Sequence, residues 1–274
     1  IGGTGKIIKA LKKLMEEEKI KINVNSEITK IITKKEKVIG IEVNKKKKYF
    51  ADKIVINGDP AYTYKYLINS KYNKKWTKKR IDKLDFSMGL FVIFFGSSKK
   101  FKNVAHHTIW MGKRYKGLLN DIFNKKKLAN DFSLYLHRPT ATDKSMAPKN
   151  CDSFYVLSPV PNLLSKINWD KEGEKYKLKI LKALDQTILP GLLKSLKVSF
   201  FMTPNDFKHD YLSLNGTGFS ISPIFRQSAW FRFHNKSENF RNLYFVGAGS
   251  HPGAGVPGVI SSAKVLENII KNET

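Results

Sequence analysis

Five glycines and two prolines crowd into the twelve residues Gly247–Gly258, around a single histidine, His251. Glycine lacks a Cβ, so such a run lets backbone amides come close to a ligand. Before it stand Leu243, Tyr244, Phe245 and Val246, an apolar and aromatic run that reads as a short strand. After it Ile260, Ala263, Leu266, Ile269 and Ile270 recur at three and four residues, which predicts a helix over Val259–Ile270. Strand, glycine turn and helix in that order form a cradle for a phosphate or dinucleotide. The helix start presents free N–H groups and the positive end of its dipole to an anion or an electron-rich edge. Gly253-Ala-Gly-Val-Pro-Gly258 also satisfies G-x-G-x-x-G. Only 16 residues follow Gly258, however. A Rossmann unit needs a second strand with an acidic residue about 20 positions on, to hold the ribose. A tight strand-to-helix turn is the plain alternative.

The whole string Val246–Ala263, VGAGSHPGAGVPGVISSA, closely resembles the C-terminal flavin motif of bacterial-type phytoene desaturases. Further segments resemble the same family: Gly2-Gly-Thr-Gly5, Ala105-His-His-Thr108, Asp121-Ile-Phe-Asn124, Asp131-Phe-Ser-Leu-Tyr-Leu-His137 and Gln227-Ser-Ala-Trp-Phe231. The resemblance runs nearly end to end. It implies an FAD-dependent desaturase that takes phytoene toward more conjugated carotenoids, passing a hydride from substrate C–H to flavin. The cofactor-binding residues it implies are Gly247, Ala248, Gly249, His251, Pro252, Gly253, Gly255, Val256, Pro257 and Gly258. It adds Ile28, whose position in related flavoproteins presents its backbone to the adenine. Members also carry an N-terminal G-x-G-x-x-G for the pyrophosphate, and none precedes Ile1. The expectation is therefore a C-terminal piece with roughly half a flavin site, inactive alone. A related carotenoid isomerase or oxidase is the alternative within the family.

No catalytic base stands out. His106 and His107 are adjacent at a strand start, so their rings are expected on opposite faces. His137 and Arg138 are weaker candidates. No metal site is expected: the six histidines never recur at three- or four-residue spacing, and Cys151 is alone. No G-x-S-x-G elbow marks a hydrolase.

Net charge is +27, from 50 Lys and Arg against 23 Asp and Glu. Such a field favours anionic surfaces, nucleic acid or acidic lipid. A basic nucleic-acid-binding module is the alternative of a different class. It would interleave aromatic and basic residues on one face, a pattern absent here, so no nucleic acid partner is expected. Abundant Lys, Asn and Ile also match the drift of an AT-rich genome. The lone cysteine suits a reducing cytoplasm, and the longest apolar run, Gly89–Gly96, is a strand's length. The expected location is cytoplasmic and peripheral, on the inner face of the membrane, with the aromatic and basic stretch Tyr62–Lys83 as the contact.

The remaining patterns place these residues on an α/β scaffold, a Rossmann-like FAD-binding fold interleaved with a mixed-sheet substrate domain. Residues 1–60 and 240–274 are assigned to the flavin part and 61–239 to the substrate and membrane-facing part. A helix follows Gly5. Strands are expected at Lys21–Asn25, Ser26–Thr33, Lys37–Asn44, Lys47–Ala51 and Lys53–Ile56, and a helical region from Ala61 to Lys83. Asp85–Gly96 predicts a central strand, Tyr115–Ala129 a helix, Asp131–Arg138 and Asp152–Val160 strands, Trp169–Leu189 a long helix and Val198–Met202 a strand.

Overall fold

A computed structural model describes residues 1–273. In chain order, helix α1 (Thr4–Glu17) precedes strands β1 (Ile28–Lys34), β2 (Lys37–Val43), β3 (Lys47–Phe50) and β4 (Ile54–Ile56). Two short helices follow, α2 (Pro60–Tyr62) and α3 (Lys78–Ile81), then β5 (Gly89–Ser97), β6 (His107–Trp110), α4 (Tyr115–Phe123), β7 (Leu134–His137) and β8 (Asp152–Val160). The last part holds α5 (Trp169–Gln186), α6 (Leu192–Ser195), β9 (Leu196–Met202), α7 (Pro204–Asp210), β10 (Leu243–Phe245) and α8 (Val256–Lys271).

The chain divides into two units, one of residues 1–23 and 89–205, the other of residues 24–88 and 206–274. In the first, an antiparallel sheet of order β6-β7-β8-β5-β9 carries α5 on one face. Alternation along the strands sorts the side chains. Leu134, Leu136, Phe154, Val156, Phe91, Ile93 and Phe95 point into a core with Trp169, Tyr176, Ile180, Leu181 and Leu184 of α5. Helix α5 starts on Asn168, whose side chain accepts the Lys171 N–H, with Asp170 and Glu172 in the positive first turn. Below the sheet edge, Asp152 binds the Phe101 N–H at 2.8 Å, Thr140 Oγ1 at 2.7 Å and the buried Arg138 guanidinium at 3.2 Å.

The opposite face of that sheet is unusual. His107, His137, Tyr155, Phe94 and Phe200 stand opposite one another on successive strands, forming one row across all five. Adjacent ring centroids lie 5.2, 4.7, 5.9 and 5.1 Å apart. A solvated sheet face ordinarily carries polar residues at these positions. Here the row is aromatic, and Phe200 is 58% exposed.

In the second unit β1-β2-β3 form the expected meander and β10 pairs in parallel with β4, Leu243 opposite Ile54 and Phe245 opposite Ile56. Asn242 ties the two together, donating from Nδ2 to Val38 O and accepting from Val38 N at 2.9 Å. Residues 61–88 and 206–239 pack in this unit, around Tyr64, Trp76, Phe233, Phe240 and Phe245.

Three elements differ from the sequence reading. Lys21–Asn25 alternates but pairs with nothing and is not a strand. The stretch from Ala61 to Lys83 is no continuous helix: after α2 comes one π turn, Thr63–Leu67, and Ile68 is extended. The cause is tertiary. Tyr64 and Trp76 are 1% and 2% exposed, and Asn239 Oδ1 accepts the Lys74 and Lys75 N–H groups, which holds this segment in a loop. Neither of these two rings can face a membrane, whereas Tyr66 in the same stretch is 54% exposed. Helix α4 ends at Phe123 rather than reaching Ala129.

Candidate functional site

The glycine loop leaves β10 as its sequence predicts and enters α8 at Val256, three residues before the expected start. Val246 N donates to Ile56 O at 3.0 Å, so the loop begins where the parallel pair ends. The Gly247 N–H then reaches across to Ser262 Oγ on α8 at 2.8 Å, with Ser262 fully buried. Ser250 Oγ closes a turn onto Gly247 O at 3.1 Å. These bonds fold the loop back against the helix it introduces.

Two side chains outside the motif hold its carbonyls. Arg232, 5% exposed, donates from Nη2 to Ala248 O at 2.8 Å and from Nε to Ser250 O at 3.3 Å. Asn235 Nδ2 donates to His251 O at 2.9 Å and Phe245 O at 3.1 Å. Carbonyls bound from one side leave the other side of the loop to its amides and glycine Cα groups. Burial pushes the Arg232 guanidinium below its usual range, opposed by the charge of Asp59. Burial pushes the Asp59 carboxyl up, against bonds from the Leu214 N–H at 2.9 Å, Ser220 Oγ at 3.0 Å and the Ala61 N–H at 3.0 Å.

The glycines fall into two sets. A Cβ on Gly247 would meet Asn57 Oδ1 at 2.6 Å, and one on Gly249 would meet Pro60 Cδ at 2.3 Å. Those two are needed for packing against the Asn57–Pro60 turn. Gly255, by contrast, has φ +101 and nothing within 4 Å of a Cβ position. Around it Val256 and Ile260 are 67% and 63% exposed, and His251, Pro252 and Pro257 are exposed too. Helix α8 has no side-chain N-cap. Its first N–H groups therefore lack intrahelical partners. An open glycine edge, an uncapped helix start and exposed apolar residues suit a flat, electron-rich group, so the donor set fits a flavin.

Ile28 sits apart from this cluster, at the first position of β1 opposite Val43, in the same unit. Arg232 and Asn235 were missed by sequence reasoning. Both lie in Phe231–Phe240, a segment with three phenylalanines and seven polar residues, where nothing in the local pattern singles them out.

The histidines also differ from expectation. His106 precedes β6 and is turned by Thr142, whose Oγ1 lies 2.8 Å from its Nδ1. Its Nε2 lies 2.8 Å from His137 Nε2, and its ring centroid 4.4 Å from that of His107. The two neighbours thus converge instead of diverging, because only His107 lies within the pleat. Three histidines, one just before β6, one in it and one at the end of β7, meet in space, a set that spacing along the chain could not reveal.

No protein-family model matches the chain. In an alignment of 276 positions that covers 98% of the chain, it is 44% identical to the neurosporene-forming phytoene desaturase of Rhodobacter capsulatus. The chain is similar to phytoene desaturases. The lycopene-forming enzyme of a Paracoccus species is 40% identical over 99% of the chain, and the zeta-carotene-forming enzyme of Myxococcus xanthus 32% over 97%. The chain spans about half the length of the curated relatives it matches, 53%, 54% and 51% in these three. Among solved structures, an oxidoreductase from Methanosarcina mazei superposes with a TM-score of 0.64 at 19% identity, over 97% of this chain and 54% of its own. A putrescine oxidase gives 0.60 at 12%, over 99% and 53%. The fold is thus one shared with these two oxidoreductase structures.

Proposed function

We propose that the chain forms part of an FAD-dependent desaturase that acts on phytoene or a related carotenoid at a membrane surface. The observation that carries this reading is 44% identity to a phytoene desaturase over 98% of the chain. Bound FAD would accept the hydride that an unactivated C–H gives up, a task no ordinary side chain performs. In this reading Gly247, Ala248, Gly249, His251, Pro252, Gly253, Gly255, Val256, Pro257 and Gly258 hold the cofactor, and the Ile28 backbone meets the adenine. Arg232 and Asn235 position the loop by binding its carbonyls, and Ser262 anchors it to α8. Val256 and Ile260 would exclude water from the cofactor edge.

The aromatic row on the five-stranded sheet supports a place for the polyene. A conjugated chain offers only apolar and π surface, which flat rings match by stacking and dispersion. The membrane contact is reassigned to Phe225, Trp230 and Phe231, which are 88%, 77% and 54% exposed, with Arg226 among them. Aromatic rings favour the boundary between water and hydrocarbon. The chain's +27 charge would favour the anionic inner leaflet, at about 1 kcal/mol per basic residue near the surface.

The test is Gly255→Val in the full-length protein. A side chain there would occupy the open face without touching the packed one. Purified protein should lose its flavin absorbance while keeping its far-UV dichroism. Full flavin occupancy in the folded variant would overturn the placement.

A further inference from the structure

His106, His107 and His137 each offer one ring nitrogen, and the three lie within 4.8 Å of one another. Tetrahedral zinc–imidazole bonds of about 2.1 Å separate the ligand nitrogens by about 3.4 Å. The observed spread brackets that figure, with His106 and His137 in contact at 2.8 Å. Small ring rotations bring all three to it.

The surroundings match those of imidazole ligands. A metal-bound imidazole ordinarily uses its second nitrogen to hold a neighbouring oxygen, which fixes the tautomer. Thr142 Oγ1 donates to Pro139 O at 3.4 Å and lies 2.8 Å from His106 Nδ1, so in the metal-binding tautomer His106 Nδ1–H donates to it. That leaves His106 Nε2 as a bare lone pair facing the cluster. His107 Nδ1 is held by the Tyr135 hydroxyl at 2.6 Å, so its Nε2 is likewise the free one. His137 completes the set with a defect: its Nδ1 is buried with no hydrogen-bond partner. A buried polar atom without a partner costs about 1–3 kcal/mol, so it calls for a reason. With His106 Nε2 as the acceptor, a neutral His137 donates from Nε2 and keeps an unpartnered Nδ1. A cation in place of that Nε2 proton would be shared by the Nε2 lone pairs of the three rings, with His137 carrying its proton on Nδ1.

We propose that His106, His107 and His137 bind one divalent transition-metal ion, zinc being the best match, as a clip between β6 and β7. Three neutral nitrogens without a carboxylate suit a borderline ion rather than calcium or magnesium. Three protein ligands leave a fourth position for water, on the side of exposed His107. Strand β6 has only four residues and lies at the sheet edge, paired solely with β7. His106 and His107 lead into it and His137 ends its partner, so the ion would fasten the edge where pairing begins.

The experiment titrates Zn²⁺ into the untagged full-length protein after chelator treatment, followed by calorimetry. One equivalent should bind. His107→Gln, an exposed position, should weaken binding at least about 10-fold with unchanged far-UV dichroism. Thr142→Val, which removes only the outer partner, should weaken it about 10- to 100-fold. The proposal is overturned if the intact protein takes up no Zn²⁺. It is equally overturned if a folded His106→Gln/His107→Gln variant binds as tightly as the parent.

Discussion

Gly249→Ala tests how tightly the loop is packed. A Cβ there would lie 2.3 Å from Pro60 Cδ and 3.2 Å from both Pro60 Cγ and Ser220 Oγ, where ordinary contacts begin at 3.4 Å. Pro60 would have to retreat by more than 1 Å, and its ring cannot rotate away. It follows directly on Asp59, whose carboxylate holds the Leu214 and Ala61 N–H groups and Ser220 Oγ. Overpacking of this kind costs about 1–3 kcal/mol. Losing one hydrogen bond to a charged group adds about 1.5–3 kcal/mol. The expected loss is about 3–5 kcal/mol, or a fall in Tm of roughly 10 °C. Urea unfolding followed by tryptophan fluorescence reads it, since Trp76 is buried in the same unit. Gly255→Ala, with nothing within 4 Å, is the comparison and bears only its backbone strain of about 1–3 kcal/mol. A Gly249→Ala protein within about 0.5 kcal/mol of the parent would refute the packing described.

Asp59 gives a pH signature. Burial raises its carboxyl in the folded state above the ordinary aspartate value of 3.8, so between those two values the unfolded chain binds fewer protons. Stability should therefore fall as pH rises from 3.8 through the folded pKa, and then level off. Urea midpoints at a series of pH values should show that slope in the parent and its loss in Asp59→Asn; an unchanged slope would assign it to another group. Replacing Phe225 and Trp230 together by Ser should abolish co-sedimentation with anionic vesicles in high salt while altering stability by less than about 1 kcal/mol, as expected of exposed positions. Undiminished co-sedimentation would place the contact elsewhere.

The sequence exposed what depends on local order. Leu243–Val246 read as a strand because it is apolar and β-prone, and α8 read as a helix because Ile260, Leu266 and Ile270 recur at the helical period. The glycine loop between them was recognisable as a motif. What remained hidden depends on partners distant in the chain. Arg232 reaches the loop from 16 residues before Ala248. Trp76 looked like an interfacial residue because its neighbours are lysines, yet its Nε1 donates to Glu238 Oε2 at 3.0 Å, 162 positions away. The histidine cluster needs the pairing of His107 with His137, a register that turn lengths and burial decide rather than spacing.

The bond between Val38 and Asn242 spans 204 positions. A ribosome adding about 5–20 residues per second needs roughly 10–40 s to cover that interval. During it the 24–88 segment has emerged with Ile31, Tyr64 and Trp76, while Phe233, Phe240 and Phe245, the rings that cover them, are still unmade. The intervening 89–205 segment has by then delivered every strand of its own sheet. Synthesis thus favours completing the inserted unit first and leaves the outer one waiting with apolar surface open. The β4–β10 pairing is accordingly a late event in the life of the nascent chain, and the interval before it is when a chaperone would matter most.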